Sequence, residues 1–154
     1  MIDETFLRVR YSETDQMGIV YYANYFVWME VGRTNLIRNF GITYKELEEK
    51  GFLLPVVYTS ARFISPAYYD DEIVVQSALI EMTKTKLSIG YRIFRITSQD
   101  KRELVCVGLS DLVFLDKETR RIVRAPEFFV NAVKIQKSPE YDKFIEDIQK
   151  ILKY

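Results

Sequence analysis

A change of period divides this chain and limits what it can become. Around Ala23 to Phe40 the apolar residues recur at helical spacing: Tyr22, Tyr25, Phe26, Met29, Leu36 and Ile37 share one arc, with Asn24, Val27, Thr34, Asn35 and Arg38 opposite. Gly41 follows as a stop signal. Gly32 lies on the apolar arc, where it costs about 1 kcal/mol relative to Ala in a helix interior, a cost that close packing against a sheet would explain. After a short helical stretch from Thr43 to Lys50, the period drops to two. Leu54–Ser65, Ile73–Met82, Lys86–Thr97 and Glu103–Leu115 each predict a long strand, and Thr5–Tyr11 predicts another near the N-terminus. The links SPAYYDDE, TKT and SQDKR are short, so successive strands are expected to be antiparallel neighbours. A sheet of about five strands can bury a long apolar helix by curving around it, which gives an α+β fold.

With 154 residues there is room for one domain with a substantial core. Apolar residues make up 48% of the chain, with 10 Phe and 11 Tyr, enough to cover a sheet and also line a pocket. Basic and acidic residues balance at 22 each, so nothing draws the chain as a whole toward nucleic acid. No run of about 18 apolar residues and no secretory leader pattern is present, and a cytoplasmic location is expected. The single cysteine, Cys106, sits in a strand-like ELVCVGL context and reads as core. There is no histidine. Serine-histidine and cysteine-histidine nucleophile systems are excluded with it, as are histidine-ligated zinc sites, and one thiol makes no metal cage. No metal is expected. Acid-base chemistry near neutral pH then falls to a carboxylate, a lysine, a tyrosine or water.

One carboxylate is conspicuous. DQMGIVYYANYF sets Asp15 and Gly18 ahead of an apolar run where neither a turn nor a core needs an acid. Asp15 is a solvated turn residue or the working group of a site; Glu13, two residues earlier, is the rival acid. Arg33 shares the helix's apolar arc one turn from Glu30, predicting a partly buried ion pair between them, or a stem that covers apolar surface while its head reaches water. Near the C-terminus, Pro126 opens a helix through Ile135. Ser138-Pro139 caps another with Phe144, Ile148, Ile151 and Leu152 on one stripe. Residues 126–154 are therefore expected to form a helical extension of a single domain, covering the sheet or meeting a partner.

The stretch RVRYSETDQMGIVYYANYFVWMEVGRTNLI, followed by ISPAYYDDEIVVQ, resembles the hotdog-fold acyl-CoA thioesterases of the 4-hydroxybenzoyl-CoA thioesterase and YbgC-like branch. The likeness covers roughly Thr5 to Pro126. It implies a long central helix wrapped by a curved antiparallel sheet, subunits joined edge to edge into dimers or tetramers, and active sites at the subunit interface. It implies that Asp15 is the catalytic carboxylate and that the main-chain N–H of Tyr22 polarises the thioester carbonyl. Both fit the physics of a helix start, which favours a negative charge and leaves N–H groups free. Tyr22 stands where some members carry histidine. Gly18, Ile19, Val20 and Tyr25 are expected to contact substrate, within an aromatic lining that also includes Tyr21, Phe26 and Trp28. Thr83, Lys84 and Lys86, at a strand turn, are expected to meet the coenzyme A phosphates, with Arg120, Arg121 and Arg124 a weaker basic cluster. Coenzyme A is part of the substrate, and no separate cofactor is expected. The alternative function is a hotdog module that binds acyl-CoA or a protein without catalysis.

Overall fold

The computed structural model describes residues 1–153. Strand β1 (Asp3–Arg8) leads through a short 3₁₀ turn (Tyr11–Glu13) and a loop to helix α1 (Ala23–Asn39). Helix α2 (Tyr44–Glu49), capped by the Thr43 hydroxyl, precedes β2 (Phe52–Leu53). The long strands follow: β3 (Val56–Phe63), β4 (Glu72–Met82), β5 (Lys86–Ile96) and β6 (Arg102–Val113). β7 (Leu115–Asp116) pairs with β2 as a separate two-stranded sheet, which the periodicity did not foresee. Helices α3 (Glu127–Ala132) and α4 (Pro139–Leu152) complete the described chain.

The main sheet has five antiparallel strands in the order β1-β4-β5-β6-β3. This is the expected hotdog architecture with one correction of topology. β3 and β4 are not neighbours: the Ile64–Asp71 link carries the chain across the end of the sheet, leaving β3 on the far edge beside β6. A short link permits a hairpin but does not compel one when β1 already occupies the other side of β4. The first strand also lies further toward the N-terminus than its alternation suggests, because the chain turns after Arg8 to bring Glu13 under α1. α3 stops at Ala132, short of Ile135.

Helix α1 lies on one face of the sheet, burying Tyr25, Trp28, Met29, Gly32, Leu36 and Ile37. Gly32 is where it comes closest. A Cβ there would stand 2.5 Å from Ser77 Oγ and 2.8 Å from Val75 Cγ1, so only glycine lets helix and β4 meet. The helical arc needs two corrections. Tyr22, as the N-cap residue, is 55% exposed, while Trp28 is buried against Glu13. Arg33 also departs from expectation. It makes no ion pair with exposed Glu30 among the described residues, and its Nε is buried close to the hydroxyls of Tyr44 and Tyr91. Helix α4 covers the opposite face of the sheet, with Phe144 and Ile148 packed around Ala78 and Val107, and Arg92 Nη1 2.6 Å from Asp147 Oδ2. The tail therefore covers the sheet.

Candidate active site

The loop before α1 is a tight hairpin. Thr14 bridges Val20, Asp15 N–H donates to Ile19 O at 3.0 Å, and Gly18 N–H donates to Asp15 O at 2.9 Å. Gly18 adopts φ +78°, the left-handed turn conformation that glycine accepts without strain. Asp15 Oδ1 accepts from Met17 N–H at 2.8 Å, whereas Oδ2 accepts nothing among the described residues. One carboxylate oxygen thus orients the side chain, and the other is open.

The start of α1 has a similar asymmetry. The N–H groups of Tyr21, Asn24 and Tyr25 donate to Glu13 O, Tyr21 O and Tyr22 O. Those of Tyr22 and Ala23 have no acceptor among the described residues. Both stand at the positive end of the helix dipole.

Asp15 and Tyr22 line the same cavity of about 480 Å³. Ile19, Val20 and Tyr25 form part of its wall together with Phe63, on whose ring Tyr22, Tyr25 and Phe26 converge with centroids 6.2, 5.2 and 6.5 Å away. Of the expected lining, Gly18 shapes the turn without reaching the wall, Phe26 stands behind Phe63, and Trp28 turns away toward Glu13. The far wall, from Phe63 to Pro66, was missed. Its signal was the ISPAYY stretch, whose Ser-Pro ends a strand, but nothing local shows that this end meets the helix start. Burial pushes the Tyr25 phenol up to about 12 and the Cys106 thiol up to about 12, so both stay protonated at neutral pH and neither serves as a base.

Glu13, the rival acid, is 3% exposed. Its Oε1 accepts from Arg10 N–H and its Oε2 from the Trp28 indole N–H, each at 2.8 Å. Both oxygens are engaged, and Glu13 does not line the cavity.

Thr83, Lys84 and Lys86 lie elsewhere in the chain. Phe63 and Ile93 pair with Cys106 near one end of the sheet, while Lys86 pairs with Val113 at the other. Seven residues of β5 separate Ile93 from Lys86, about 23 Å at 3.3 Å per residue. Thr83 Oγ1 closes the β4–β5 turn by accepting from Lys86 N–H at 3.1 Å. Lys86 Nζ stands 4.0 Å from Glu81 and 3.7 Å from Asp111. Lys84 makes no ion pair among the described residues and, with Thr83 and Arg124, borders a second cavity of about 640 Å³. No described helix is long and apolar enough to cross a membrane.

A family model described as the thioesterase-like superfamily matches residues 9–133. The chain belongs to that superfamily. Thioester hydrolysis is the chemistry that membership assigns. The chain is 40% identical over 123 residues to YneP of Bacillus subtilis (strain 168), covering 80% of this chain and 86% of that protein. It is 32% identical over 116 residues to the acyl-CoA thioesterase YbgC of Haemophilus influenzae (strain ATCC 51907 / DSM 11121 / KW20 / Rd), covering 73% and 85%. Among solved structures, the 4-hydroxybenzoyl-CoA thioesterase of Pseudomonas sp. strain CBS-3 superposes with a TM-score of 0.78 at 23% identity, over 86% of this chain and 99% of that one. The DHNA-CoA thioesterase of Staphylococcus aureus superposes with a TM-score of 0.77 at 24% identity, over 99% and 93%. At such identities the superpositions establish the hotdog fold.

Proposed function

We propose that this protein hydrolyses acyl-CoA thioesters with the Asp15 carboxylate, while the N–H groups at the start of α1 receive the oxyanion. The observation that carries this reading is one cavity bordered both by a carboxylate with a free oxygen and by a helix start with free N–H groups. A thiolate is a good leaving group, so little further machinery is needed. The free oxygen of Asp15 can act as a general base on water, or as a nucleophile that forms an anhydride which water then opens. In either route charge develops on the thioester oxygen, where Tyr22 N–H, with Ala23 N–H beside it, supplies hydrogen bonds. The phenol ring of Tyr22 serves as wall.

The site is completed by a second copy of the chain. β3 is an edge strand with Val56, Val57 and Tyr58 exposed, and Val27 and Val31 lie exposed on α1. An antiparallel pairing of two β3 edges would cover this apolar surface. It would also reverse direction along the sheet, bringing the partner's β4–β5 turn to the Asp15 end. The lateral distance is then three strand spacings, on the order of 15 Å, a span suited to the arm linking a thioester to the coenzyme A phosphates. Lys84 is the lysine available to meet them, because Lys86 is already held by two carboxylates.

Steady release of free thiol from a panel of acyl-CoAs tests the catalytic reading, and saturable binding without thiol release would replace it with a binding module. Light scattering tests the assembly, and a stable, active monomer would contradict it.

A further inference from the structure

We propose that Glu13 is a positioning residue whose bond to Trp28 aims the Asp15 loop and the start of α1 at one another. Glu13 is a buried carboxylate with nothing to do in the chemistry: it is 3% exposed and both oxygens are occupied. Burying a charge costs stability unless every lone pair is used well. The Arg10 guanidinium, with Nε 3.5 Å from Oε1, offsets part of that cost, but an apolar residue under α1 would incur none of it, so the carboxylate itself contributes something.

What it contributes is a double attachment. The side chain ties the Arg10 main chain, ahead of the loop, to Trp28 in the second turn of α1. Glu13 O accepts from Tyr21 N–H and from Asn24 Nδ2, each at 2.9 Å. One residue thus grips both ends of the Thr14–Val20 hairpin that carries Asp15, together with the first turn of the helix that carries the free N–H groups. Trp28 extends the connection, since its ring lies edge-on to Tyr25 at 4.9 Å and Tyr25 meets Phe63 on the cavity wall. A misplacement of about 1 Å between reacting groups can cost on the order of 100-fold in rate. The brace therefore acts on the distance between Asp15 and the N–H donors without touching substrate.

This inference rests on Asp15 being the working carboxylate, and its test separates the two. Glu13→Gln keeps the volume but turns an N–H₂ group toward a donor, either Arg10 N–H or the Trp28 indole. Trp28→Phe removes the indole donor and keeps a ring. Each variant is expected to lose about tenfold in kcat with KM changed by less than about twofold, as expected for a loss confined to transition-state alignment. The double variant should lose no more than Glu13→Gln alone, because the two residues act as one unit. Trp28 is the only tryptophan, so its emission reports the brace directly. An unreactive thioether analogue of acyl-CoA should shift that emission in the parent, and in Glu13→Gln it should bind with unchanged affinity but without the shift. Parental kcat in both single variants would overturn the proposal. So would a rate loss matched by a proportional loss of folded protein, or additive losses in the double variant. If Glu13→Gln fails to fold, Trp28→Phe carries the kinetic test. Parental kcat in Asp15→Asn would remove the catalytic reading instead.

Discussion

Around Asp15, one carboxylate oxygen and two main-chain N–H groups at the start of α1 are without partners among the described residues, and the site opens on an apolar cavity. At the β4–β5 turn, at the other end of the same sheet, Thr83 Oγ1 closes its own turn and Lys86 stands between Glu81 and Asp111. Helix α4 repeats this second pattern, with Asp147 held by Arg92 at 2.6 Å and Lys143 at 2.9 Å. Paired polar groups stabilise a fold, while unpaired ones at a cavity cost stability and remain available to a ligand. On this account, changes at the open groups of the Asp15 end should alter rate and spare stability, and changes at the paired groups of the β4–β5 turn and α4, remote from the cavity, should do the reverse.

The largest effect is expected at Asp15 itself. Asp15→Asn is nearly isosteric and keeps an acceptor for Met17 N–H, so folding should survive while kcat falls by about 10²- to 10⁴-fold. Thermal unfolding is the control: a mere turn residue would leave activity intact in Asp15→Asn, and in Asp15→Ala it would show only as about 1 kcal/mol of lost stability. Lys84→Ala comes next. It should raise KM for acyl-CoA by about three- to tenfold with kcat nearly unchanged, and a thioester without the nucleotide should not register the change. Lys86→Ala should alter KM by less than about twofold, so equal effects at both lysines would break the distinction between free and paired cations.

The smallest effect on activity is expected at α4. Asp147→Asn should cost about 1–2 kcal/mol, a fall in Tm of a few degrees, with kcat unchanged. Burial pushes the Asp147 carboxyl up, but its hydrogen bonds with Lys143 and Arg92 outweigh that and hold it below its usual range. Its contribution is therefore complete above the ordinary carboxylate range and fades as pH falls through the depressed value. Acid titration of Tm should show parent and Asp147→Asn converging at low pH.

Much of this was legible in the chain. The period change marked α1, and Gly41 ended it with φ +90°. Gly32 on an apolar arc announced the close approach to β4. An acid ahead of an apolar helix start singled out Asp15. The remaining features depend on what folds back from elsewhere. The crossover that sends β3 to the far edge follows from competition for the sides of β4, which link length does not encode. The burial of Trp28 and Glu13 arises because the preceding loop covers a flank of α1 that a helical wheel treats as open. Arg33 turns inward because Tyr44 and Tyr91 arrive from α2 and β5. Lys86 reads as a free turn lysine until β6 brings Asp111 beside it.

The most direct test mixes excess Asp15→Asn protein with acyl-CoA in a single turnover, following bound thioester and free thiol together. The account predicts that the thioester binds as tightly as an unreactive thioether analogue binds the parent and then persists, with thiol appearing at least about 100-fold more slowly than in the parent. Thiol release at the parental rate from the bound complex would contradict it, and would show that the free oxygen of Asp15 is not where the chemistry occurs.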